Sequence, residues 1–229
     1  MKLLGHAISS PKQANAPEHG IEGAILYLAP AKQSGYNACA SSTEGCRNAC
    51  LYFSGRGGMT RTQQARIRKT KMFFEERNKF LDLLVKDIAS VEHRAIKKNF
   101  QPVIRLDGTS DLRWERFGFM EDFPNIQFYD YTKHKNRKNI PNNYDLTFSR
   151  SEESTTKDID RALDNGMNVS VVFEKELPQT WHGLQVIDGT ENDWRFRDPK
   201  PCIVGLTAKG SKGKRDTSGF VILNNLKNW

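Results

Sequence analysis

The sequence predicts an α/β fold: a TIM-barrel-like parallel β/α barrel that is incomplete or irregular. Three observations predict it. Apolar runs of strand length alternate with helix-length amphipathic stretches, these runs repeatedly end in charged or hydroxyl residues, and some connections are too short to hold a helix. The alternation implies parallel pairing, and polar groups at the ends of many strands fit a barrel, since an open sheet concentrates them at one switch point. The short connections, at 133–143 and 190–201, make the barrel irregular.

In chain order the predicted strands are "AILYLAP" (24–30), "PVIRLDG" (102–108), "IQFYDYT" (126–132), "YDLTFSR" (144–150), "NVSVVFEK" (168–175), "LQVIDG" (184–189), "CIVGLTA" (202–208) and "GFVIL" (219–223). Between the first two, residues 64–98 place Phe73, Phe80, Leu84, Ile88, Val91 and Ala95 at helical spacing, with a break expected near Asn78. "TTKDIDRALDNG" is a second helix, with Thr155 or Thr156 as N-cap and Gly166 as its stop.

At 229 residues and 37% hydrophobic content the chain suits a single domain spanning 1–229. No apolar run approaches the ~20 residues that cross a bilayer, so no membrane partner is expected and the setting is read as cytoplasmic.

The segment after the first predicted strand, 35–56, contains "CASSTEGCRNAC", three of the four cysteines in a Cx6Cx3C spacing. A reducing compartment disfavours disulfides, and the polar neighbours disfavour core packing. Structural zinc prefers four ligands in close pairs, and the five histidines are scattered. Cys39, Cys46 and Cys50 are therefore expected to hold a [4Fe-4S] cluster with one iron open to a small molecule. Cys202, inside an apolar run, is read as packing rather than as a fourth ligand.

Later strand ends supply the expected chemistry. Arg105, Asp107, Asp111, Lys133 and Arg150 are the catalytic candidates, as anion stabilisers and proton carriers, with Ser110, Glu152, Asp188, Asp193 and Lys209 as substrate-binding candidates. Net charge is +8, and the runs "GRGGMTRTQQARIRKTK" (55–71) and "KGSKGKR" (209–215) point to a phosphate-bearing small molecule or a nucleic acid as partner. No pattern for sequence-specific readout is present.

The layout of a three-cysteine loop after a first strand resembles that of the radical S-adenosylmethionine enzymes, whose usual loop is Cx3Cx2C; that resemblance implies S-adenosylmethionine as a cofactor. "LDGTSD" (106–111) stands where that family carries Gly-Gly-Glu. A resemblance covering most of the chain is carried by "LYLAPAKQSGYNACASSTEGCRNACL", "RLDGTSDLRWE", "FYDYTK", "LTFSRSEES" and "VIDGTENDWRFRDP". These are similar to the "gene product 88" family of tailed phages, which implies a phage source, an iron-sulfur site and residence in the cytoplasm of the infected cell. The expected activity is phosphoester or phosphodiester hydrolysis with a cluster iron as Lewis acid. The alternatives are radical cleavage of S-adenosylmethionine, and a non-enzymatic protein that binds nucleic acid or a host protein and carries a structural or redox cluster.

Overall fold

The computed structural model describes residues 1–224. The elements are β1 (Leu4–His6), β2 (Ile21–Leu26), α1 (Glu44–Asn48), α2 (Thr60–Glu75), α3 (Arg77–Lys98), β3 (Gln101–Arg105), β4 (Gln127–Thr132) and β5 (Tyr144–Ser149). They continue with α4 (Thr156–Asp164), β6 (Asn168–Phe173), β7 (Thr180–Trp181), β8 (Leu184–Asp188), β9 (Ile203–Thr207), α5 (Gly210–Gly213) and β10 (Val221–Ile222). The strands are mostly parallel and alternate with helices, the incomplete, irregular TIM-barrel-like class that the sequence predicts. Contacts divide the chain into two compact units.

The first unit comprises Met1–Ala40, Thr60–Asp130 and Arg137–Asp145. Here β1 pairs antiparallel with β2, β2 runs parallel to β3, and β3 runs parallel to β4. The long amphipathic stretch is two helices, broken at Glu76 (φ −130°, ψ 52°) rather than at Asn78. Phe80, Leu84, Ile88, Val91 and Ala95 of α3 are buried, and α3 packs on β2 and β3. This is what a 3.6-residue apolar stripe dictates when it meets the apolar face of a sheet. At the edge of that packing the half-exposed Arg94 and Lys98 each donate to the buried Glu22 at 2.8 Å.

The second unit comprises Ser41–Met59, Tyr131–Asn136 and the chain from Leu146 onward. Its central strand is β6, parallel to β5, β9 and β10; β8 runs parallel to β9, and β7 pairs antiparallel with β8. Val169, Val171, Phe173, Ile203 and Val204 are fully buried, as strands covered on both faces require. Thr155 caps α4 through a capping box with Asp158, and Gly166 follows the helix at φ 73°.

Two expectations shift. The first predicted strand begins earlier, at Ile21, and ends at Leu26, and β1 precedes it, so the cysteine segment follows the second strand. Cys39 belongs to the first unit and Cys46 and Cys50 to the second. Among the described residues no helix is long and apolar enough to cross a membrane.

Candidate functional site

In the first unit the residues after β3 turn inward. Asp107 and Asp130 are 2% and 1% exposed, so neither presents its carboxylate to solvent. Asp130 accepts the N–H groups of Asp107 (2.7 Å) and Leu106 (3.2 Å) and the Tyr144 hydroxyl (3.0 Å). Asp107 accepts from the Ser110 hydroxyl (2.6 Å) and the Leu112 N–H. Arg105 Nε lies 3.8 Å from Asp130, and Arg137 approaches Asp111 at 3.8 Å and Glu115 at 2.6 Å. Burial pushes Asp107 well above the usual carboxylate range, helped by the charges of Asp130 and Asp111. Burial likewise raises Asp130, to about 7, against the opposing pull of Arg105. Four of the predicted residues, Arg105, Asp107, Ser110 and Asp111, thus gather in one buried network, which Tyr144, Asp130 and Arg137 complete. Cys39 lies nearby: its Sγ donates to the Thr109 carbonyl at 3.7 Å.

In the second unit the predicted strand-end residues tie segments together. Lys133 Nζ donates to Ser149 Oγ (2.9 Å) and to the carbonyls of Ser149 (3.1 Å) and Arg150 (3.3 Å), and lies 4.9 Å from the Phe220 ring centroid. Arg150 Nη1 donates to the carbonyls of Gly219 (2.6 Å) and Phe220 (3.1 Å). Glu152 accepts from the Gly45 N–H (2.6 Å) and the Thr43 hydroxyl (2.7 Å), holding the start of α1. Asp188 is exposed and accepts the Thr190 N–H at 2.7 Å, an Asx turn. Asp193 is buried and accepts from the Tyr131 hydroxyl at 3.3 Å. Lys209 is exposed, just before α5.

The cysteines require a correction. Among the described residues, no group of three or more His, Cys, Asp or Glu side chains is placed to hold a metal ion. Cys39, Cys46 and Cys50 therefore do not form the expected ligand set. Cys46 instead packs against the apolar cluster of Ala208, Phe220 and Val221, joined by Ala49 and Val172. The expected [4Fe-4S] cluster loses its ligands. With it go the S-adenosylmethionine site, the iron-dependent hydrolase, the radical enzyme and the cluster-bearing binding protein. A Cx6Cx3C spacing is compatible with ligation, but here α1 spends one thiol on packing, as a small hydrophobe. Cys202 is buried, and burial pushes its thiol up to about 11, in keeping with the packing role read from the sequence.

What the second unit offers to solvent lies elsewhere. The 3₁₀ turn Leu51–Phe53, and Met59 just after the second turn Gly55–Gly58, expose large apolar side chains: Leu51 is 54% exposed, Phe53 43% and Met59 61%. Beneath them Tyr52 is buried, and its ring meets Phe53 edge-on at 5.0 Å, which anchors the turn. The α5 segment packs alongside: a Cβ added at Gly210 would lie 3.3 Å from the Ser54 Cβ, and one at Gly213 3.9 Å from the Ala49 Cβ. Lys212 Nζ stands 5.3 Å from the Phe53 ring centroid. The two segments, 41–59 and 208–216, carry Arg47, Arg56, Lys209, Lys212, Lys214 and Arg215 against only Glu44 and Asp216. All six cations are exposed. Sequence reading found the basic runs but missed Leu51, Phe53 and Met59, because nothing in the local pattern separates an outward apolar side chain from a core one.

The gene product 88 family model matches residues 4–224. Neither the curated proteins nor the solved structures contain a match to the chain.

Proposed function

The chain belongs to the gene product 88 family, and from that premise we propose that it is a nucleic-acid-binding protein, gripping the phosphate backbone with the face built from Leu51–Met59 and Lys209–Arg215. One observation carries this reading. Exposed cations and exposed apolar side chains lie on two segments that pack together, where Lys212 Nζ stands 5.3 Å from the Phe53 ring centroid. Lysine and arginine neutralise phosphates and release counterions, which supplies sequence-independent affinity. Apolar side chains that remain 43–61% exposed are suited to meet the faces of bases.

The strand-end residues support the same reading because the fold already engages them. Lys133 and Arg150 spend their donors on carbonyls, and Asp107 and Asp130 lie inside the first unit, so a polyanion reaches Lys209–Arg215 far more readily. A cytoplasmic setting in the infected cell would bring such a surface to phage or host nucleic acid.

The test is equilibrium binding of a fluorescently labelled oligonucleotide to the intact chain and to the quadruple variant Lys209→Gln, Lys212→Gln, Lys214→Gln, Arg215→Gln. The reading expects the variant to bind at least about tenfold more weakly, since several phosphate contacts are lost. Equal binding by the two proteins overturns it, and a nucleotide monophosphate that competes at equal concentration moves the reading to a small-molecule ligand.

A further inference from the structure

We infer that the surface around Phe53 selects single-stranded over duplex nucleic acid by stacking a base on the Phe53 ring, an inference that rests on the nucleic-acid reading above. The apolar part of a nucleic acid is the face of its bases. In a duplex those faces are covered by neighbouring base pairs, whereas an unpaired strand can splay them out. A protein that needs only duplex phosphates gains nothing from holding Phe53 43% exposed beside Leu51 and Met59.

Local geometry supports a stacking platform rather than an adaptable loop. Phe53 closes a 3₁₀ turn whose middle residue, Tyr52, is 2% exposed and meets the Phe53 ring edge-on at 89°. A buried aromatic anchor fixes the ring before any ligand arrives, which lowers the ordering cost of stacking. Lys212 stands over the same ring, and its flexible four-carbon stem lets the ammonium pass to a phosphate beside a stacked base. Lys209, Lys214 and Arg215 are exposed on the same segment as Lys212, available to further phosphates along the strand.

Groove reading is disfavoured on the same grounds. Major-groove recognition needs a helix or a two-stranded ribbon that can enter the groove. This face is made of two 3₁₀ turns and the four-residue α5, which has neither the length nor the projection for that task.

The experiment compares binding of labelled oligo(dT) and of a mixed-sequence duplex of equal length to the intact chain at fixed salt, for wild type, Phe53→Ala and Phe53→Trp. Wild type is expected to bind the single strand at least about tenfold tighter. Phe53→Ala should lose about tenfold or more on the single strand, the loss of one base stack, and leave duplex affinity unchanged. Phe53→Trp should retain single-strand affinity, because indole stacks at least as well, and thermal melts of both variants confirm folding. Equal affinity of wild type for the two ligands, or an equal loss on both for a folded Phe53→Ala, overturns the inference while leaving phosphate binding intact. Binding of neither ligand overturns the inference and the nucleic-acid reading together.

Discussion

Lys212 Nζ stands 5.3 Å from the centroid of the Phe53 ring, so one charge and one exposed aromatic face from segments far apart in sequence share a point on the surface. Lys212→Gln should leave stability almost unchanged, since the lysine is exposed. On single-stranded ligand it should reduce the slope of log affinity against log salt by about 0.7, one phosphate contact. Anisotropy titrations at four or five salt concentrations check this, and an unchanged slope removes Lys212 from the interface.

The buried carboxyl pair of the first unit makes stability depend on pH. Burial raises both Asp107 and Asp130, so the native state keeps protons that the unfolded chain has already released. The resulting stabilisation is fully present at acidic pH, below the ordinary carboxylate pKa of about 4. It is lost as pH rises toward the folded value of about 7 for Asp130. Urea midpoints should therefore fall from pH 5 to pH 8, and Asp107→Asn should shrink that fall. Asp107→Asn is the better probe, because Asp130 accepts three donors, which an amide oxygen alone cannot match. A midpoint drop of equal size in the variant contradicts the assignment.

Gly45 admits no side chain. A Cβ there would sit 2.7 Å from the Phe220 Cβ and 2.9 Å from Glu152 Oε1, with Ser218 Oγ closer still. Gly45→Ala should cost about 2 kcal/mol or more by overpacking. Denaturant unfolding measures the cost; a loss under about 0.5 kcal/mol would falsify this close packing of α1 against 218–220.

Cys46 is a packing residue. Cys46→Ala should destabilise the protein by about 1 kcal/mol, the order of one buried small group. Oligonucleotide affinity should be unchanged, because Cys46 packs against the Phe220 cluster. Loss of binding in a variant that melts within a few degrees of wild type would assign Cys46 to the surface instead.

Much of the fold was legible in the sequence, since β3 to β6 and β9 are written as β-branched and aromatic runs with buried residues on both faces, and the half-buried β8 still shows its short apolar run. The break at Glu76 came within two residues of Asn78. The three-residue β1, the two-residue β7 and the four-residue α5 were illegible, because so few residues carry no periodicity and their pairing is tertiary. At the site, charge placement was half legible. Asp107, Ser110, Asp111 and Arg105 do come together, as a shared position after one strand implies, but their partners Asp130, Tyr144 and Arg137 arrive from other segments. The cysteine spacing misled for a physical reason: proximity in sequence does not set which neighbours a side chain meets, and Cys46 packs against an apolar cluster whose residues Ala208, Phe220 and Val221 come from far along the chain. Phe53 was passed over because its exposure is decided by the buried Tyr52 beside it.

The most direct test of nucleic-acid binding is the salt dependence of oligo(dT) affinity for the intact chain, measured by fluorescence anisotropy beside the quadruple Lys209, Lys212, Lys214, Arg215 to Gln variant. The account predicts a linear fall of log affinity with log salt for wild type and a slope shallower by about 2 or more in the variant, from up to four lost phosphate contacts at about 0.7 each. No binding at low salt, or identical slopes for the two proteins, would contradict it.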